Sequence, residues 1–277
     1  MSNFFKVACI QTNTGVDVAA NLAAAGDLGR RARDAGAELI ACPETVNIMA
    51  PDRATLKAGC LPEDGNPALL AFQDLARETG AWVLIGSLLV EVPGSDKMAN
   101  RSFLLDEQGA VRARYDKIHM FDVNLGGVES HRESNHYNAG DEAILAETPW
   151  GQLGMTICYD LRFAYLFRTL AQAGAEMIAT PSAFTRISGQ AHWHILQRAR
   201  AIETGCYIIA PAQCGDHPGG RQTFGHSLIV DPWGEVLADG GEEPGFIIAD
   251  IDLAKVAEAR EKIPALSHDR DVALRKS

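Results

Sequence analysis

Basic residues are in short supply in this 277-residue chain: 25 Lys and Arg stand against 36 Asp and Glu, a formal net charge of −11. A phosphate backbone is bound through a basic surface, so the deficit argues against nucleic-acid binding. Long apolar runs are also missing. The richest, Trp82 to Val90, is broken by Gly86 and Ser87 and falls far short of the roughly 18 apolar residues of a membrane span. No Cys-x-x-Cys pair occurs among Cys9, Cys42, Cys60, Cys158, Cys206 and Cys214, and the start, Phe4 to Gln11, lacks a signal-peptide layout. Together these predict a reducing, cytoplasmic setting in which most thiols are small buried hydrophobes and one or two react. Gly-x-Gly-x-x-Gly, phosphate-binding lysine loops and His-Glu-x-x-His are absent, so neither a cofactor nor a metal is expected.

What remains has ordinary globular proportions, 47 % hydrophobic and 22 % charged. Short β-rich runs alternate with helical patterns. Val7–Gln11, Glu38–Ala41 and Trp82–Gly86 read as strands. Between them, Asp17–Ala35 and a helix opened by Pro67 place Leu22, Leu28, Leu69 and Phe72 on inner faces. Ser102–Asp106 and Val111–Tyr115 flank a hairpin turn, and 120–141 reads as a long ordered, functional loop. Strands at Met155–Cys158, Met177–Thr180 and Tyr207–Ala210 alternate with helices at Leu161–Ala173 and Gln190–Thr204. A second hairpin turns at Asp231-Pro232-Trp233-Gly234, and Phe246–Ile251 is the last strand. This is an α/β pattern of mixed sheets with helices outside. No repeat or composition break divides it, so 1–277 is expected to be one domain.

Three positions carry candidate chemistry. Cys158 ends a strand and opens a turn, an elbow that lifts a nucleophile out of a sheet beside helix amides. Those amides favour a thiolate, and the Tyr159 N–H is placed to hold an oxyanion. A buried structural cysteine is the competing reading. Lys117 and Glu44 each follow a strand end, where a solvated charge and a cap are the ordinary roles. Read singly, none is specific.

Read together, Pro43-Glu44, Tyr115-Asp116-Lys117-Ile118-His119 and Cys158-Tyr159-Asp160-Leu161-Arg162-Phe163 resemble the nitrilase superfamily of carbon–nitrogen hydrolases. The resemblance spans essentially the whole chain. It is densest in Pro181 to Phe184, Ala191-His192-Trp193, Arg198 to Thr204 and Gly225 to Gly234, which look like the branch holding deaminated-glutathione amidase and omega-amidase. Two local departures stand out: Ala164-Tyr165 replaces a frequent Pro-Glu, and Asn124 to Val128 lacks the usual proline-glycine form.

The resemblance implies a four-layer αββα sandwich and a Glu44–Lys117–Cys158 triad that cleaves a small carboxylate-bearing amide to acid and ammonia through a Cys158 thioester. Nitrile and N-carbamoyl substrates belong to the same superfamily. Glu133 matches a second family glutamate that positions Lys117, with a surface ion pair as its other reading. Phe184 and Ser188 match substrate-facing positions. It also implies a homodimer or larger homo-oligomer, with the helix after Cys158 and the C-terminal tail in contact. Arg162 would face the same pocket as Cys158 if a helix began at the elbow, and would there bind a substrate carboxylate. Its alternative is an ion pair with Asp160 or a neighbouring helix. Two rival chemistries are a Cys158–His119 acyl hydrolase or transferase and a metal site at His192-x-His194, although positions two apart on a helix diverge.

Overall fold

The computed structural model describes residues 4–124 and 130–276. The segment Leu125 to Val128, singled out above for its departure from the family pattern, lies outside the described residues. Strands β1 (Phe4–Gln11), β2 (Leu39–Ala41), β3 (Trp82–Glu91), β4 (Met98–Leu105) and β5 (Val111–Asp116) lie side by side in sequence order. A short pair, β6 (Asp122–Asn124) and β7 (Ser130–Arg132), follows. Next come β8 (Ile144–Glu147), β9 (Gln152–Met155), β10 (Met177–Ala179), β11 (Tyr207–Ala210), β12 (Cys214–Asp216), β13 (Gln222–Phe224), β14 (Leu228–Val230), β15 (Val236–Asp239) and β16 (Gly245–Asp252). One six-stranded sheet runs β16-β1-β2-β3-β4-β5, the other β15-β14-β11-β10-β9-β8. The helices are α1 (Val18–Asp34), α2 (Arg53–Ala58), α3 (Pro67–Thr79), α4 (Ala164–Gln172), α5 (Arg186–Thr204) and α6 (Ala254–Lys262).

Strand alternation explains the layers. In β1, Val7 and Cys9 pack toward the second sheet's Met155, Ala179 and Ile208, whereas Ala8 and Ile10 meet Leu28 and Ala32 of α1 and Leu75 of α3. On the far side, Phe167 and Leu170 of α4 and Trp193 of α5 cover the second sheet. The order is therefore α–β–β–α, with two apolar faces on each sheet.

Boundaries differ from the sequence reading where turn chemistry intervenes. Residues 120–141 contain β6, β7 and a 3₁₀ turn at Glu133–Asn135 rather than an unbroken loop. The chain after Cys158 forms a 3₁₀ turn, Cys158–Arg162, and α4 starts only at Ala164. Phe163, at φ −109° and ψ 82°, interrupts the helix between them. Arg162 is thus out of helical phase with Cys158.

Candidate active site

Glu44 sits in a sharp turn after β2 that a neighbouring glycine makes possible. A Cβ on Gly86 would lie 2.0 Å from the Cys42 carbonyl oxygen, so only glycine lets β3 approach this closely. Ser87 then fixes the far side. Its hydroxyl accepts the Thr45 N–H at 2.8 Å and its carbonyl the Val46 N–H at 3.2 Å. Thr45 has φ +51°, a conformation that costs a β-branched residue energy and is held by these contacts.

Lys117 follows β5 directly. Its N–H donates to Asn100 O at 3.0 Å, and its carbonyl accepts the Gly140 N–H at 2.9 Å. Cys158 follows β9 with φ +48°, its N–H donating to Pro181 O at 2.9 Å. The elbow is anchored by Asp160. That fully buried carboxylate accepts from the Ile157 N–H (2.8 Å), Tyr115 Oη (2.7 Å) and the His119 N–H (3.0 Å), and holds His119 Nδ1 at 2.7 Å.

These elements converge on the floor of a cavity of about 460 Å³. Lys117 Nζ donates to Glu44 Oε1 at 2.9 Å and to both oxygens of Glu133 at 2.9 Å, with 2 % of its side chain exposed. Glu44 also accepts from Asn100 Nδ2 at 2.9 Å and, through Oε2, from the Ala183 N–H at 2.8 Å. Glu133 accepts the Phe121 N–H at 2.5 Å.

Burial alone would push Glu44 up and Lys117 down. Neighbouring charge overcomes it: Lys117 holds Glu44 below the usual carboxylate range, and Glu133 first, then Glu44, hold Lys117 well above the usual lysine range. Cys158 shows the opposite balance. Burial and the Glu44 carboxylate raise the thiol further than Lys117 lowers it. The balance favours a neutral thiol beside an ionised Glu44, rather than the thiolate that the elbow amides alone favour. The arrangement suits a general base acting at the moment of attack.

Of the remaining residues singled out from the sequence, Tyr159, Phe184 and Ser188 line the same cavity. Arg162 does not. Its guanidinium lies 5.0 Å from the Phe184 ring centre and 5.9 Å from that of Tyr159, and Nη1 sits 3.2 Å from His192 Nδ1. It backs the wall instead of facing the pocket. His119 is absent from the cavity lining as well. Its ring stacks on Phe163 at 3.5 Å and is spent on Asp160 and Tyr165 Oη, which leaves no geometry for a Cys–His pair. His192 and His194 diverge as the helix spacing requires; His194 Nε2 and His226 Nδ1 share the Asp239 carboxylate at 2.9 and 2.8 Å.

The sequence reading missed Asn100, His136, Tyr137, His217 and Arg221, all of which line the cavity. Asn100 adjoins Arg101 and Ser102 and precedes the strand read from the sequence, and the others sit in polar loops that look like solvated chain.

The carbon–nitrogen hydrolase family profile matches residues 6–261. Among curated proteins, deaminated glutathione amidase of Yersinia enterocolitica is 38 % identical over 97 % of this chain and 94 % of its own. The human protein of that name is 41 % identical over 95 % of this chain and 82 % of its own. Among solved structures, the Caenorhabditis elegans NitFhit protein superposes with a TM-score of 0.89 at 36 % identity, over 97 % of this chain and 66 % of that one. Saccharomyces cerevisiae Nit3, a member of branch 10 of the nitrilase superfamily, gives 0.86 at 27 % identity over 96 % of both chains. This chain belongs to the carbon–nitrogen hydrolase family of the nitrilase superfamily, and is an amidase that cleaves amide C–N bonds.

Proposed function

We propose that this amidase acts, as one catalytic unit, on a small amide of the deaminated-glutathione or omega-amidase type, through a Glu44–Lys117–Cys158 triad and a thioester. The observation that carries this reading is the buried junction in which Lys117 is held by Glu44 and Glu133 on the floor of a 460 Å³ cavity that Cys158 also lines. Glu44 takes the thiol proton as sulfur attacks the amide carbon. Lys117 and the Tyr159 N–H stabilise the tetrahedral oxyanion. Glu44 then returns the proton to the departing nitrogen, releasing ammonia from a primary amide or an amine from a substituted one. Water activated by Glu44 hydrolyses the thioester. Glu133 keeps Lys117 in place; Phe184 and Ser188 line the acyl chain, with Arg162 propping Phe184 from behind.

Two copies are proposed to pair through the outer helices, supported by exposed apolar side chains on one layer: Tyr165 of α4 and Ile187, Ile195 and Ile202 of α5. Six free, buried cysteines support a reducing, cytoplasmic setting. Among the described residues no helix is long and apolar enough to cross a membrane. The deciding experiment follows product release over a panel of amides, nitriles and N-carbamoyl compounds, with intact-mass detection of an acyl adduct. One adduct on Cys158, formed only with amides, is the expected result. An adduct on Cys42 or Cys214 overturns it.

A further inference from the structure

The cavity collects polar atoms that the protein itself leaves without partners. Among the described residues, buried and unpartnered side-chain atoms occur on Thr45, Trp82, Asn100, His136, Gln197 and Arg221, and four of these six residues, through Thr45 Oγ1, Asn100 Oδ1, His136 Nδ1 and Arg221 Nε, line this one cavity. Folded proteins pair nearly all such groups, so a cluster of orphans in a pocket is the imprint of a ligand. Only one of the four is a cation. Among the described residues Arg221 makes a single side-chain hydrogen bond, from Nη2 to the Ala183 carbonyl at 2.8 Å, and none of them places a carboxylate within ion-pair range of it. A guanidinium has five N–H donors, so most of its capacity is unused.

Its position is fixed from below. Arg221 leaves the turn between β12 and β13, where its carbonyl accepts the His217 N–H at 2.8 Å. Both ring nitrogens of His217 are occupied, Nδ1 against Thr14 O at 2.9 Å and Nε2 against Thr223 Oγ1 at 2.7 Å. The turn itself packs on the opposite rim: a Cβ on Gly219 would lie 2.4 Å from Pro51 Cβ. The arginine therefore stands on a rigid base.

The floor beneath it carries two carboxylates and one ammonium, and the whole chain carries −11. An anionic substrate needs a local cation to offset that field, and Lys117 is already shared between Glu44 and Glu133. We infer that Arg221 forms a carboxylate subsite, gripping the acid end of the substrate while its amide carbon rests on Cys158. This rests on the amidase reading above and gives Arg221 the role that the sequence suggested for Arg162.

The test compares two matched amides, the monoamide of a five-carbon dicarboxylic acid and the same chain with methyl in place of the carboxylate. Wild type should prefer the acid by about 10- to 100-fold in kcat/KM, the range for hydrogen bonds to a charged group. Arg221→Gln should bring the two within about threefold by raising KM for the acid alone, and Arg221→Lys should recover part of the preference. If Arg221→Gln lowers both substrates equally, the guanidinium only braces the Ala183 carbonyl and the subsite is overturned. Equal wild-type activity on both amides overturns it too, while the amidase reading stands. Glutarate binding to the Cys158→Ala protein gives a readout free of turnover: Arg221→Gln in that background should weaken it at least tenfold, and unchanged affinity overturns the inference.

Discussion

The floor and the rim of the cavity are built on opposite principles. On the floor the ionised side chains are fully engaged: Glu44 meets Lys117, Asn100 and the Ala183 amide, and Lys117 spans two carboxylates. On the rim, Arg221 and His136 hold donors or acceptors in reserve, and at the floor only the uncharged Thr45 hydroxyl and Asn100 carbonyl do the same among the described cavity residues. The floor is locked by strand ends and by backbone angles that few residues tolerate, at Thr45 and Cys158. The rim rides on the β12–β13 turn and, at His136, on the chain just after the 3₁₀ turn Glu133–Asn135, outside both large sheets. A satisfied polar network cannot shift without loss, which suits a reaction whose atoms must stay put. An unsatisfied one waits for a partner. Under the proposed mechanism, bond cleavage belongs to the floor and substrate choice to the rim.

Substitutions on the floor should break function outright. Cys158→Ala should lower turnover by at least about 10⁴-fold, since loss of a nucleophile removes the acyl-enzyme route, with circular dichroism unchanged. Residual activity within tenfold of wild type would mean that Cys158 is structural. Lys117→Arg keeps the charge but cannot fit a planar fork where a compact ammonium bridges Glu44 and Glu133, so kcat should fall about 10²–10³-fold. Lys117→Met should also destabilise the fold by about 3–5 kcal/mol, because two carboxylates lose their buried partner. Chemical denaturation measures this, and a loss under 1 kcal/mol would place the junction in contact with water.

Glu44, Lys117 and Cys158 were legible because each follows a short strand and sits in a motif, whereas Glu133 follows the polar strand Ser130–Arg132 and was reached only through the family resemblance. Strand ends at Ala41, Asp116 and Met155 are readable from β-rich runs, and the side chains just beyond them converge once the sheets stack. The αββα layering was foreseen through family resemblance, whereas the alternation of strands with helices indicated only mixed sheets under helices. What escaped were features set by local turns. The 3₁₀ turn after Cys158 is dictated by Asp160 closing on the Ile157 N–H, and it carries Arg162 away from the pocket. Nothing in the spacing distinguishes that turn from the first turn of a helix. Arg221 stayed hidden for another reason: a Pro-Gly-Gly-Arg loop reads as solvent-facing chain until Pro51 packs against its glycine.

The ionisation of the floor gives a smaller effect with a definite sign. Glu44 lies below its unfolded value, so its contribution to stability is present above the ordinary carboxylate range and fades only as pH falls through the lowered value. Lys117 lies above its own, so its contribution holds below about pH 10 and fades as pH rises through the raised value. The ion pair should persist across neutral pH. Cys158, raised by burial and by Glu44, should then react slowly with iodoacetamide at pH 7, and the rate should keep climbing where an ordinary thiol levels off. Glu44→Gln removes the negative neighbour, so the alkylation profile should move to lower pH even as amide turnover is lost. A profile that moves to higher pH would show that Glu44 helps to ionise the resting thiol, and the neutral-thiol description would fall.

The mildest test lies where the floor meets the core. Tyr115, 1 % exposed, donates its hydroxyl to Asp160 at 2.7 Å, and Asp160 in turn holds the turn that carries Cys158. Tyr115→Phe deletes one of four contacts to that carboxylate and leaves the Ile157 and His119 N–H groups and the His119 ring in place. Losing one hydrogen bond to a charged group costs about 1.5–3 kcal/mol when the partner stays buried, so the melting temperature should drop by several degrees. Turnover should fall less than tenfold, because Glu44 and Lys117 keep their own partners and only the elbow loosens. If kcat instead fell 100-fold at unchanged stability, Tyr115 and Asp160 would be setting the reactivity of Cys158 directly. The chemical floor would then extend one layer deeper than the triad.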